Sequence, residues 1–386
     1  MRGMDDISWL PAQADDVKVR LPGTDRAKEP AQTLAMARRA AGPVGITRVA
    51  DLTWLDTIGI PTYQAIRPAA RTLAVSQGKG ITPELARLSA MMEAIELWHA
   101  EQSRPPALTA PPREVAGELS YDLGELPQAT PSLLHEGLPM EWVAATSLAD
   151  GKPTLLPKEL VTVTMDRGPG WHPPVFAVSS NGLASGNTLV EAVLHALYEV
   201  IERDAVTLAL SGGGKGVNAD PASLGSAVVD RLCELPAKAG VRLEVRSMPS
   251  ATGLPCFLAE ITCDEYAMNF RGFGCHLSSE IALTRAVTEA AQARLAYISG
   301  ARDDLHADAY ASMGERRRKA PAPEPAEPIA RVTANASLLD DLRDVVGRAT
   351  AAFGHAPLFT DLTRDDLGVP VARVVAPGAR LAPEEF

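Results

Sequence analysis

Four cysteines (Cys233, Cys256, Cys263 and Cys275) occur in 386 residues, with no CxxC spacing and no paired-histidine motif. That scarcity excludes a zinc-nucleated fold and a disulfide framework. Positive charge is also short: 37 Lys and Arg stand against 48 Asp and Glu, a net charge of −11. A surface of that sign repels phosphate backbones and anionic lipid, so neither nucleic acid nor membrane is expected as a partner. No apolar run reaches the length of a membrane span, and the opening MRGMDDISWL puts acids where a secretory signal needs its apolar stretch. The expected compartment is the reducing cytoplasm. Ser/His/Asp and Cys/His nucleophile signatures are missing, and the sequence identifies no catalytic residue or general base.

What is present is a chain of 46% hydrophobic and 22% charged residues, the composition of a globular protein with a sizeable core. Residues 1–40 read as a polar N-terminal arm with a short helix at 29–40 opening after Pro30, and residues 41–386 as one continuous unit. In that unit, 43–76 and 139–180 mix β-branched residues with Gly and Pro and predict short strands and turns. Helices are expected from Thr82 to Glu101, across 187–204, from Ser279 to Ser299 and near 338–352. SRPPALTAPPRE is expected as a loop, because four prolines in twelve residues interrupt a helix. Strands are expected within 240–275 and in VPVARVVAPG. The Pro-, Ala- and charge-rich tract at about 313–330 predicts a mobile loop. Interleaved strands and helices predict a single α/β (α+β) domain of mixed sheets.

A weak internal repeat runs through the chain. GKGITPELARLSAMMEAIEL, GNTLVEAVLHALYEVIER and GCHLSSEIALTRAVTEAAQAR each set a glycine loop before an alanine-rich helix. Those helices carry Glu93-x-x-Glu96, Glu199-x-x-Glu202 and Glu289-x-x-Gln292 at corresponding positions. In the second, Glu191, His195, Glu199 and Glu202 fall within an arc of roughly 80°. Each acid alone has an ordinary structural explanation. Thr188-x-x-Glu191 fits a capping box, Glu202 can pair with an Arg, and a lone ExxE is commonly a solvated face. Their recurrence on several helices changes the balance, since buried like charges require a cation. Magnesium is the natural one: hard, oxygen-seeking and accustomed to sharing carboxylates with a substrate phosphate. VSQGKGIT and LSGGGKGV do not fit GxxxxGK[ST] and are not Walker loops. Lys79 nonetheless adds charge beside backbone N–H groups, and SGNT sets such groups at a helix N-terminus. Glu96-x-x-His99 is the ExxH of di-iron bundles, but the other acidic helices lack a second copy.

The blocks SQGKGITPELARLSAMMEAIELWHAE, NGLASGNTLVEAVLHALYEVIERDAV, GFGCHLSSEIALTRAVTEAAQARL and VPVARVVAPG, in that order, resemble the YcaO-domain family from about residue 26 onward. GITRVADLTWLDTIGIP, AIRP and SGARDDL are most similar to the subgroup that works beside a TfuA protein. The resemblance implies a single YcaO-like domain that uses ATP and Mg2+ to phosphorylate the oxygen of a peptide backbone amide. In the TfuA-associated subgroup a sulfide equivalent then gives a thioamide in a ribosomally synthesised peptide or protein. In the azoline-forming subgroup a Cys, Ser or Thr of the precursor peptide attacks instead. Carried across residue by residue, the metal- and ATP-binding acids are Glu93, Glu96, Glu191, Glu199 and Glu202. Ser76 and Lys79 match the first glycine loop, Asn187 the helix start, and Arg203 a phosphate contact. Arg26 and Thr33 fall where an N-terminal nucleotide contact is expected, and Gln292 fits the third block. A TfuA-like partner and a homodimer are implied. Two features depart from some relatives: Ala184 replaces a nucleotide-contacting Ser, and ARLAPEEF lacks the Pro-x-Pro-x-Pro ending of azoline formers. The competing expectations are the azoline cyclodehydratase, a non-catalytic peptide-binding scaffold and, remotely, a di-iron oxidase.

Overall fold

In a computed structural model of the chain, the residues described are 17–102, 104–163, 173–211, 216–263, 268–305, 310 and 325–382. Sixteen strands and seven α-helices lie among them, interleaved along the chain. A hairpin, β1 (Val19–Leu21) and β2 (Thr24–Arg26), comes first and leads into α1 (Pro30–Ala41). The first sheet is antiparallel: β3 (Arg48–Asp51), β4 (Thr62–Ile66) and β5 (Val75–Lys79). The second runs in the order β6 (Leu108–Ala110), β7 (Met140–Ser147), β15 (Leu358–Asp361), β16 (Val371–Val375) and β9 (Leu183–Ser185). There β8 (Pro153–Pro157) pairs with β7. The third runs β13 (Asn269–Cys275), β12 (Cys256–Thr262), β11 (Arg242–Ser247), β10 (Val217–Asp220) and β14 (Glu327–Pro328).

The site is positioned by one device used three times. β5, β9 and β13 are edge strands of their three sheets. Each passes through a connection of equal length (80–82, 186–188 and 276–278) into a long helix. These helices are α2 (Pro83–Glu101), α4 (Leu189–Ser211) and α6 (Ser279–Ser299). A hydroxyl caps every start: Thr82 accepts from Leu85 N–H (3.2 Å), Thr188 from Glu191 N–H (3.1 Å) and Ser278 from Ile281 N–H (3.5 Å). In the first and third units helix and strand then pack without side chains between them: a Cβ on Gly78 would lie 1.9 Å from Ala90 N and one on Gly272 2.2 Å from Ala290 N. In the second the close approach is at the connection, where a Cβ on Gly186 would lie 2.5 Å from Ala192 N. The glycine loops and alanine-rich helices of the repeat are therefore two halves of one contact. Only small residues on both sides allow it.

One expectation needs correction. The proline-rich stretch expected as a loop carries β6 and a one-turn helix, α3 (Pro112–Val115). Pro112 sits at the first helical position, where its missing N–H costs nothing, and β6 is an edge strand on β7. Most of the loop expected at about 313–330 lies outside the described residues, but its end is ordered as β14, parallel to β10. The Gly-rich turn after α4 lies largely outside them too. One helix, α5 (Ala227–Lys238), had no counterpart in the sequence reading. It is capped by Ser226 and buries Val229 and Leu232 beside the third sheet.

The chain's two ends are joined by charge. Helix α7 (Leu338–Phe353) packs on α4, and its Asp341 is 0% exposed. Lys18 pairs with that carboxylate and with Asp25 (3.3 Å), and donates to Asn335 O (3.0 Å). Such a pair is worth keeping only when every partner is satisfied, because a lone buried charge costs several kcal/mol. Lys18 thereby fixes the hairpin that carries Arg26. No helix among the described residues is long and apolar enough to cross a membrane.

Candidate active site

The three strand–helix units enclose a cavity of about 580 Å³. Its wall holds six glutamates (93, 96, 191, 199, 202 and 289) and seven Lys or Arg residues (26, 28, 79, 203, 271, 285 and 302). Charge of both signs in one wall suits a metal–phosphate ligand better than a lone cation or anion.

The repeated Glu-x-x-Glu/Gln pair proves to be the lock between units. Ser185 in β9 donates its N–H (2.8 Å) and Oγ–H (2.6 Å) to Glu96 of α2. Cys275 in β13 donates its N–H to Glu202 of α4 (3.0 Å). Gln292 of α6 closes the ring by donating to the Gln77 carbonyl in β5 (3.4 Å). Two strand ends offer donors and take carboxylates; the third offers an acceptor and takes an amide. The first acid of each pair faces the cavity with a different neighbour. Glu289 is ion-paired with Lys79 and accepts from Phe273 N–H (3.3 Å), while Glu199 has Arg203 at 4.0 Å.

Glu191 sits at the other end of the cavity, 2% exposed. Its carboxylate accepts from Ala27 N–H (2.8 Å) and from Asn187 Nδ2 (3.0 and 3.2 Å), with Arg26 Nε at 3.8 Å. Thr33 Oγ1 donates to Asn187 Oδ1 (2.7 Å), which fixes that amide's orientation. Arg26 also donates to His195 Nε2 (2.8 Å), so the imidazole proton sits on Nδ1. Burial, then Arg26 and Arg285, hold His195 well below the usual histidine range, and it is neutral. The arm segment thus closes the site through one backbone N–H and one guanidinium.

Several cavity acids hold their protons to unusually high pH. Burial raises Glu96 to about 8 against the two Ser185 hydrogen bonds, with Glu93 and Glu199 adding to the rise. Burial raises Glu93 to about 7 against Arg302 and Lys79. It raises Glu199 to about 7 against Arg203, with Glu202 adding. Glu202 is raised by burial and by Glu289. Glu289 moves down: burial opposes, but Lys79, Arg203 and Arg285 together prevail. Burial is the first cause of each rise, in a wall that already carries seven cationic side chains. A divalent ion would favour the charged form of these buried carboxylates, and the oxygen-only donors fit magnesium. Among the described residues no three Glu, Asp, His or Cys groups form a metal cage by themselves. Magnesium needs no such cage, since it keeps waters and takes phosphate oxygens.

A pH dependence follows. Unfolded, these glutamates titrate near 4.5; folded, Glu93, Glu96 and Glu199 hold protons to about 7 or 8. Over that window the folded state binds more protons, so stability falls as pH rises. The ligand-free protein is expected to melt at progressively lower temperature from about pH 5 to about pH 8. Mg-ATP is expected to flatten the slope. Calorimetric melts across that range check this, and a ligand-free protein whose melting point rises with pH contradicts it.

Eleven of the twelve expected site residues line the cavity: Arg26, Thr33, Lys79, Glu93, Glu96, Asn187, Glu191, Glu199, Glu202, Arg203 and Gln292. Ser76 is not brought there. Alternation along β5 places it with Gly78 on the face toward α2, while Gln77 and Lys79 take the cavity face. The Glu96-x-x-His99 pair is likewise divided. Glu96 lines the cavity, but His99 is buried outside its wall, with Nδ1 against Ile95 O (2.8 Å). Arg271, Arg302, Gln77 and Ser185 were not expected. Arg285 and Glu289 share a helix face with Gln292, a visible signal, but only the fold turns that face to Lys79.

The YcaO sequence model, described as YcaO cyclodehydratase, ATP- and Mg2+-binding, matches residues 77–380. An uncharacterised protein of Mycobacterium tuberculosis is 39% identical over 369 residues, covering 93% of this chain and 83% of that one. A Rhizobium leguminosarum bv. trifolii protein named for its place in the tfuA 3′ region is 35% identical over 374 residues, covering 92% and 88%. Among solved structures, YcaO from Methanopyrus kandleri bound with AMPPCP and Mg2+ superposes with a TM-score of 0.72 at 24% identity, covering 94% of each chain.

Proposed function

The chain belongs to the YcaO family, and from that premise we propose that it uses ATP and Mg2+ to phosphorylate a peptide backbone amide oxygen and install sulfur at that carbon. The product is a thioamide, made in a ribosomally synthesised peptide or protein in the cytoplasm beside a TfuA-like partner. The observation that carries the ATP-dependent step is the cavity wall itself, in which six glutamates stand among seven lysine and arginine side chains. Sulfur as the incoming nucleophile is supported by the similarity to a protein of a tfuA region.

Bound Mg-ATP supplies the phosphoryl group that turns the amide oxygen into a leaving group. The chain's own residues position and neutralise. Glu93, Glu96, Glu199 and Glu202 would hold the cation as carboxylates. Lys79, Arg203 and Arg285 lie in the same wall and would meet phosphate oxygens there, where low dielectric strengthens each contact. Asn187, Arg26 and the Ala27 N–H brace Glu191 and so set the N-terminal end of α4. Phosphoryl transfer asks for little more than this from a protein.

Reconstitution with a TfuA-like protein, a precursor peptide, ATP and sulfide tests the reading. The expected product carries sulfur in place of one oxygen, by mass. Loss of one water without added sulfide would instead establish an azoline cyclodehydratase, the reading closest to the family description. Failure to bind Mg-ATP by calorimetry would leave a peptide-binding scaffold.

A further inference from the structure

Position 77 breaks the pattern of the three units. Counting back six residues from the first helical residue of α2, α4 and α6 (83, 189 and 279) gives Gln77, Leu183 and Phe273. All three line the cavity. Two units place an apolar side chain here, so the architecture does not itself call for an amide. Gln77 is 1% exposed, and among the described residues neither its Oε1 nor its Nε2 has a hydrogen-bond partner. Buried polar groups are almost always paired, and one left unpaired costs stability. Its neighbours do not answer the need. Gln64, opposite on β4, donates to Ser299 (3.2 Å), and Gln292 reaches the main-chain carbonyl of Gln77 (3.4 Å). Ala293 and Ala296, within a turn of Gln292, line the cavity too, but offer Gln77 no hydrogen bond.

We propose that Gln77 binds a backbone amide of the peptide substrate, Nε2–H donating to its carbonyl and Oε1 accepting its N–H. The inference rests on the function proposed above and assigns the peptide to the part of the cavity beside β5. A carboxamide and a peptide group each offer donor and acceptor, so each satisfies the other. Phosphate offers acceptors only and would leave Oε1 unpaired. The purine edge of a nucleotide is the competing occupant.

The test uses the full chain and Gln77→Leu, the residue the second unit carries, with Gln77→Met as a further check on folding. The probe is N-acetylglycine N′-methylamide, a neutral molecule with two peptide groups, titrated by ligand-observed NMR; Mg-ATP binding is measured by calorimetry. The leucine variant is expected to melt at or above the wild-type temperature, because it removes an unpaired amide. It should bind the probe at least about tenfold more weakly while holding Mg-ATP within about threefold of wild type. Destabilisation of both variants would overturn the proposal by showing that Gln77 serves the fold. Unchanged probe affinity would overturn it too, and so would Mg-ATP affinity falling in step, which would give the site to the nucleobase. Wild type that binds the probe through Gln77 but not Mg-ATP would refute the proposed function and leave this subsite standing.

Discussion

Glu202→Gln is expected to reduce ATP-dependent substrate modification by at least about 100-fold, the scale lost when a preorganised charge is removed from a phosphoryl-transfer site. Glu202 is 3% exposed and accepts the Cys275 N–H. The amide oxygen of glutamine can keep that bond, so the lock between α4 and β13 survives. What disappears is charge facing Arg285, Arg203 and Lys79. Repulsion between Glu202 and Glu289 disappears with it, so the ligand-free variant should melt no lower than wild type at pH 8, and its stability should depend less on pH. Turnover by mass spectrometry and ATP hydrolysis measure the first effect; calorimetry measures the second. Wild-type turnover in this variant would remove Glu202 from the site. A collapsed melting point would mean that the lock, not the charge, is its role.

Gly78→Val is expected to abolish stable folding, a loss above about 4 kcal/mol. A Cβ at this position would meet Ala90 N at 1.9 Å and Ala86 O at 2.4 Å. Both are backbone atoms, so no rotamer change relieves the clash, and α2 would have to leave β5. The contrast is Gly347 in α7, where an added Cβ has nothing within 4 Å. Gly347→Ala should stabilise by about 0.5–1 kcal/mol through helix propensity and unfolded-state entropy. Denaturant melts of the two variants give the comparison. A Gly78→Val chain that unfolds at the wild-type midpoint would refute direct backbone packing in this unit.

The alanine and glutamate spacing made α2, α4 and α6 and their kinship visible in sequence, because small faces and recurring acids leave periodic marks. The purpose of that kinship was hidden. Glu96 and Glu202 are locks because Ser185 and Cys275, distant in sequence, bring N–H groups to them, and no local pattern records a contact between sheets. Ser76 was misplaced for a related reason. A motif match does not say which face of a strand a residue takes, and Gly78 settles it by admitting α2. α5 escaped notice because Pro236 interrupts its pattern. Gln77 gave no signal until the three helix starts were fixed and its side chain was seen buried without a partner.

The ion pair between Lys18 and Asp341 also bears on when the site can exist. Sequence separation between Lys18 and its second anchor, Asn335, is 317 residues. The hairpin holding Arg26 and the Ala27 N–H against Glu191 is thus fastened by residues near the end of the chain, made after α2, α4 and α6. Contacts this remote in sequence form late, since their loop-closure entropy must be met before they stabilise anything. The acidic helices alone therefore leave the cavity without its N-terminal wall, which is held in place only once α7 has been made.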